Sequence, residues 1–151
     1  MAETKTKKVG AAVKAETVPK NTHKVLIAED NPVVRAGLKN FLGQWGYIAV
    51  EAADGNEAWK ILEKDHSIRL AVLDWNLPGL NGMEVCQRIR RREKAPYIYT
   101  LIFSARNSVK EQTLALEQGA DDYLAKPAKP SLLRARLLVG QRIIDTILAK
   151  H

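Results

Sequence analysis

From Lys24 onward the chain alternates between two periodicities. Apolar runs of four to seven residues are each followed by a stretch with helical spacing. Lys24–Ala28, Ile48–Ala53, Leu70–Asp74, Tyr97–Phe103 and Asp122–Ala125 are short, rich in apolar residues and bounded by turn chemistry, so they predict strands. Between them lie helical stretches. Asn31-Pro32 opens the first, which runs to Trp45 before Gly46. The others are Asn56–Lys64, Met83–Arg92 and Val109–Gln118, and a last one starts at Pro130-Ser131. Strict alternation of five strands with five helices predicts an α/β fold. Right-handed crossovers make its five-stranded sheet parallel, doubly wound, with helices on both faces.

At 151 residues and 46% apolar content the chain has room for one domain and its core. Its one cysteine, Cys86, excludes a disulfide framework and suits a reducing compartment; it shares a helical face with Val85 and Ile89, as a buried thiol would. No apolar run approaches the ~18–20 residues that span a bilayer. The only apolar stretch near the N-terminus, Val9–Val13, is shorter than the ~7–15-residue core of a signal peptide. A cytoplasmic location with no membrane contact is expected. The net charge of +7 is uneven: residues 1–24 carry six lysines against Glu3 and Glu16. Residues 1–23 therefore read as a basic, disordered tail and 24–151 as the folded domain. The tail has no aromatic residue and no periodic face, which argues against nucleic-acid binding.

In a parallel sheet all strands end at one edge, and the working residues gather there. The first strand runs into Glu29 and Asp30, and the third ends in Asp74; Ser104 follows the fourth and Lys126 the fifth. Three carboxylates, a hydroxyl and an ammonium should meet. Crowded carboxylates take up protons unless a cation relieves them. Mg²⁺ suits such a site, because it favours oxygen ligands and binds through one or two carboxylates plus phosphate oxygens. A lone carboxylate would be a surface patch; five residues ending four of the five strands argue otherwise.

Four segments make the pattern specific: Val25–Pro32 (VLIAEDNP), Leu73–Gly82 (LDWNLPGLNG), Ile102–Ala105 (IFSA) and Gly119–Pro127 (GADDYLAKP). In order and spacing they resemble the receiver family of two-component response regulators. Asp74-Trp75-Asn76 is most similar to the family's stand-alone chemotaxis members. The resemblance covers residues 24 to 145 and implies a flavodoxin-like topology. It also implies that Asp74 accepts a phosphoryl group from a histidine kinase, a histidine phosphotransfer protein or a small donor such as acetyl phosphate. Asp30 and Asp74 would ligate Mg²⁺ directly with the backbone carbonyl of Asn76, and Glu29 through water. Lys126 and Ser104 would contact the phosphoryl oxygens, and Ser104 and Tyr123 would form the switch pair, the ring turning inward on phosphorylation. The Lys126–Pro127 bond would be cis. Such a chain is a switch rather than an enzyme, processing only its own phosphoryl group and signalling through the face of helix 4, strand 5 and helix 5. It works alone, as a relay shuttle, or as the N-terminal part of a larger regulator.

The pattern has two departures, one of them covering a pair of positions. Arg106 and Asn76 stand where the family tunes dephosphorylation, and Ala128 stands where many relatives carry an aromatic residue. Rival classes fit less well. A flavin binder of the same topology needs a phosphate cradle after the first strand, where Glu29-Asp30 would repel phosphate. An aspartyl phosphohydrolase needs an acid two residues past the nucleophile, where Asn76 stands. His23, His66 and His151 show no ligand spacing. The cluster Arg88, Arg90, Arg91, Arg92 reads as a solvated face at a helix C-terminus. The last helix, Ser131–Lys150, would be ~30 Å long. That exceeds a five- or six-residue strand by about two turns. Ile143, Ile144, Ile147 and Leu148 are expected to overhang the sheet and support a homodimer or an output module, with Arg136 interrupting their apolar arc.

Overall fold

The computed structural model describes residues 23–150; the proposed N-terminal tail lies outside the described residues, apart from His23. The elements run β1 (Lys24–Ala28), α1 (Pro32–Gln44), β2 (Ile48–Ala52), α2 (Gly55–Lys64), β3 (Ile68–Leu73), α3 (Gly82–Arg91), β4 (Tyr99–Ser104), α4 (Val109–Glu117), β5 (Asp122–Ala125) and α5 (Pro130–Ala149). The sheet is parallel throughout, in the order β2-β1-β3-β4-β5. The chain first winds outward from β1 to β2, then crosses to β3. The switch point between β1 and β3 is where a crevice opens.

Alternation along each strand divides the core in two. Leu26, Ala28, Ala71, Leu73 and Ile102 face one side and pack with Leu62 of α2, Val85, Cys86 and Ile89 of α3, and Ala115 of α4. Val25, Ile27, Leu70, Val72, Leu101 and Phe103 face the other, against Leu42 of α1 and Leu133, Leu137 and Ile144 of α5. Cys86 is buried as expected, and burial pushes its thiol up to about 11. The helix starts are built into the sequence. Asn31, Asp54, Asn81 and Ser108 cap α1, α2, α3 and α4 through their side chains, and Glu84 and Glu111 complete capping boxes. No described helix is long and apolar enough to cross a membrane.

Three expectations need correction. β4 starts at Tyr99, not Tyr97. The Tyr97 hydroxyl turns away to donate to Asp121, and its ring lies 4.7 Å from the Arg90 guanidinium. Next, the arginine cluster is only half a solvated face. Arg88 and Arg91 are exposed. Arg90 donates to Gly119 O at 2.7 Å, Ile98 O at 2.9 Å and Asp121 at 2.7 Å, while Arg92 donates to the carbonyls of Leu62 and Pro96 at 3.2 and 2.6 Å. Carbonyls at the end of α2 and in the segments leading into β4 and β5 need donors, and these side chains supply them.

The last correction concerns α5. Packing continues through Ile144, which is 1% exposed, and Asp145 meets the His23 ring at 2.9 Å. The helix comes close because Gly140 has no side chain; a Cβ there would lie 2.4 Å from the Tyr99 ring. The two terminal turns are therefore divided: Ile144 and Asp145 are held against the domain, while Leu148 in the last turn is exposed. Their apolar excess lies on a second stripe beside the buried one, Leu132, Val139, Ile143 and Ile147. Arg136 does not interrupt that stripe with a free charge, because Asp122 holds its guanidinium at 2.7 and 2.8 Å.

Two outcomes follow from this packing. Ile144→Ala should lower stability in urea by about 2–5 kcal/mol. Ile143→Ala, one position around the helix and exposed, should change it by under about 1 kcal/mol. The second concerns alkali. Burial, with the Asp121 hydrogen bond, pushes the Tyr97 phenol up to about 12; burial, with the Asp122 and Asp121 charges, does the same for Tyr99. A raised phenol stabilises the fold fully below the ordinary value near ~10 and loses that contribution as pH rises toward the folded value. The urea midpoint should fall between about pH 10 and 12, together with the rise in tyrosinate absorbance. In Tyr97→Phe part of that decline should vanish.

Candidate functional site

Three strands, β1, β3 and β5, are each extended past their last residue by one further main-chain bond. The Glu29 amide donates to Ala52 O at 3.1 Å, the Asp74 amide to Ala28 O at 3.0 Å, and the Lys126 amide to Ser104 O at 2.8 Å. These bonds extend the ladder by one rung and aim the next side chains into the crevice beside the switch point. Glu29, Asp30 and Asp74 present carboxylate oxygens that all lie within 4.8 Å of one another. Glu29 is buried, at 4% exposure, while Asp30 is open to solvent. Lys126 Nζ stands between two of them, 2.6 Å from Glu29 Oε1 and 3.1 Å from Asp74 Oδ2. Burial alone would lower the lysine; Glu29 and Asp74 outweigh it and hold the ammonium above its ordinary value. Its Nζ also lies 5.2 Å from the centre of the Phe103 ring.

Local structure holds each acid in place. Glu29 Oε2 accepts the Asn31 amide at 3.1 Å, and Arg35 Nη1 donates to the Glu29 carbonyl at 2.7 Å. Asp74 Oδ1 accepts the Asn76 amide at 3.2 Å. The loop after β3 turns at Gly79, whose φ of +71° favours glycine, and returns so that the Gly82 amide reaches Trp75 O at 2.9 Å. A Cβ on Gly82 would lie 2.1 Å from the Asp74 carbonyl oxygen, so α3 begins in direct contact with the residue at the centre of the site.

Four of the five residues expected at the strand ends, Glu29, Asp30, Asp74 and Lys126, are therefore together by their side chains, and the fifth, Ser104, adjoins Lys126 through its main-chain oxygen. Ser104 is fully buried, and its Oγ accepts the Arg106 amide at 3.3 Å. Tyr123 already points inward: it is 6% exposed, its hydroxyl donates to Arg106 O at 2.6 Å, and its ring meets Trp75 edge-on at 6.4 Å. The Lys126–Pro127 bond is cis. With a small side chain at Ala128, an apolar cavity of about 310 Å³ opens beside Lys126, between Val34, Leu38 and Phe41 of α1 and Phe103 and Pro127.

Two contributors were not assigned their roles from the sequence. Arg35 reads as an ordinary helical cation until the Glu29 carbonyl is placed beside it. Arg106 was singled out by position, but its Nε and Nη2 on Asn76 Oδ1, at 3.0 and 2.8 Å, could not be foreseen. Only the i, i+5 spacing of Arg106 and Glu111 gave a local signal, and they pair at 3.0 Å.

Against known proteins, residues 25–138 match the family model for the response regulator receiver domain. The chain belongs to that family. Among its relatives, the probable transcriptional regulator ycf27 of Porphyridium aerugineum is 38% identical over 81% of this chain and 49% of that protein. A chemotaxis protein CheY homolog of Campylobacter jejuni is 31% identical over 76% of this chain and 88% of its own length. The BeF3-activated N-terminal receiver domain of Klebsiella pneumoniae RstA superposes with a TM-score of 0.72 at 30% identity, over 80% of this receiver and 99% of that chain. This receiver spans about half the length of the first transcriptional-regulator relatives it matches.

Proposed function

We propose that this receiver is a phosphorylation switch whose acceptor is Asp74, charged by a sensor histidine kinase or a histidine phosphotransfer protein in the cytoplasm. The observation that carries the reading is the Lys126 ammonium shared between Glu29 and Asp74, at the mouth of a three-carboxylate crevice. Mg²⁺ fits a donor set made only of oxygens. Asp30, Asp74 and the backbone carbonyl of Asn76 would hold it directly and Glu29 through water. When bound it would neutralise charge on the transferring group.

The residues of this chain do the rest. A carboxylate oxygen of Asp74 attacks phosphorus, the P–O bond forms, and the P–N bond of the donor histidine breaks. The electron pair stays on that nitrogen, and the donor, whose other ring nitrogen carries a proton, leaves as neutral imidazole. Lys126, already 3.1 Å from Asp74, pairs with a phosphoryl oxygen as negative charge is added there, and the Ser104 hydroxyl donates to another. Ser104 and Tyr123 act as the switch pair. Because the ring is already inward, Ser104 supplies the first movement and Tyr123 holds the result. The apolar cavity between α1 and Pro127 offers a donor helix a seat beside Lys126. Output runs through the α4–β5–α5 face. There the stripe of Leu132, Val139, Ile143 and Ile147 on α5 supports pairing with a second copy, and Val139, Ile143 and Ile147 line a shallow cavity of about 420 Å³.

Acetyl phosphate with Mg²⁺ should add one phosphoryl group to the wild type by intact mass and none to Asp74→Asn. An unmodified wild type under donor excess would sink the assignment. Self-association should appear by light scattering across a concentration series in beryllium fluoride and disappear in Val139→Lys/Ile143→Lys. Truncating α5 would be a poor test, since Ile144 belongs to the core. Identical monomeric mass for both proteins in every state would exclude the dimer.

A further inference from the structure

Arg106 makes more distinct contacts around the crevice than any residue the proposed chemistry uses. Its main-chain amide donates to Ser104 Oγ at 3.3 Å, and its main-chain carbonyl accepts the Tyr123 hydroxyl at 2.6 Å. Its guanidinium places Nε and Nη2 on Asn76 Oδ1 and Nη1 on Glu111 Oε2 at 3.0 Å, and lies 4.8 Å from the centre of the Trp75 ring. An exposed arginine–glutamate pair by itself contributes little. Here, one planar fork bridges two segments distant in sequence, the loop after Asp74 and the first turn of α4.

We propose that Arg106 is a positioning residue that couples the Asp74 crevice to the start of α4, each setting the other through its forked guanidinium. The proposal rests on the reading of Asp74 given above. At one end, Asn76 Oδ1 accepts two donors from Arg106, which orients the residue whose amide binds Asp74 Oδ1 and whose carbonyl faces the metal in that reading. At the other end, Glu111 does two jobs at once. Its Oε1 accepts from Ser108 Oγ at 2.9 Å and completes the capping box of α4, while Oε2 holds Arg106. Both interactions hold the Glu111 carboxyl below its ordinary value, the Ser108 bond contributing most. Movement of Ser104 or Asn76 therefore pulls on the carboxylate that caps α4. By linkage, a partner that displaces α4 must change the affinity of the crevice. Lysine cannot replace this residue, because a single ammonium cannot fork onto Asn76 and reach Glu111 together.

The test uses the full chain carrying Trp45→Phe and Trp59→Phe, so that Trp75 alone reports. Amide exchange is followed at residues 109–112, and Mg²⁺ affinity is read from Trp75 emission. Arg106→Met should speed exchange there about tenfold without metal, the scale of a disturbed N-cap. It should also shift Mg²⁺ affinity by about fivefold or more. Glu111→Gln should reproduce the exchange effect with a smaller shift in Mg²⁺ affinity, because Arg106 keeps its fork on Asn76. Arg106→Lys should restore exchange protection but not Mg²⁺ affinity. A change in only one readout for Arg106→Met, or in neither, overturns the coupling, as does full rescue of both by lysine. The metal-free exchange measurement stands apart from phosphorylation. If Asp74 is not the acceptor, intact mass fails while this arm still reads Arg106; if the hub fails, the Arg106 variants still gain one phosphoryl group.

Discussion

Mutual repulsion among three carboxylates is the constraint around which this receiver is organised. At about 4 Å separation and an effective dielectric near 20, each like-charged pair costs about 4 kcal/mol. The fold gathers Glu29, Asp30 and Asp74 nonetheless and sets one ammonium, Lys126, against two of them. The remaining imbalance is what makes the crevice receptive to a cation. Lys126 can face both acids only because β5 stops one rung short of it and the rung is completed by Ser104. Strand lengths, the switch point and the electrostatics are thus one arrangement.

The helices serve that arrangement differently. α3 starts against the Asp74 carbonyl, and α1 anchors the Glu29 carbonyl through Arg35, so both fix the acids from outside the crevice. α5 lies against the opposite sheet face from α3 and carries two apolar stripes. One is consumed by the core through Leu133, Leu137 and Ile144, and the other remains on the surface.

The fold was legible because strand and helix periodicities differ and because each cap residue precedes its helix directly. The site was legible for the same reason: residues just past strand ends must converge in a parallel sheet. What stayed hidden depends on partners that carry no local signal. Arg90 and Arg92 looked solvated because the carbonyls they satisfy belong to residues as far off as Gly119 and Leu62. Tyr97 looked like strand because Asp121, which turns it out of the sheet, lies 24 positions later. The reach of α5 was misjudged from strand length alone. Gly140 lets the helix sit close to Tyr99, and packing at Ile144 extends below the sheet toward His23.

The contact between Gly82 and the Asp74 carbonyl carries a mechanical consequence. With main-chain atoms meeting there and the Asp74 amide already bonded to β1, the floor and near wall of the crevice have almost no give. The opposite wall is built from a loop, residues 105–108, held by side-chain and single hydrogen bonds. The crevice is therefore elastic in one direction only. Extra volume at Asp74 is converted into displacement of that loop rather than dispersed through the sheet, as a piston in a rigid cylinder moves along its one free axis.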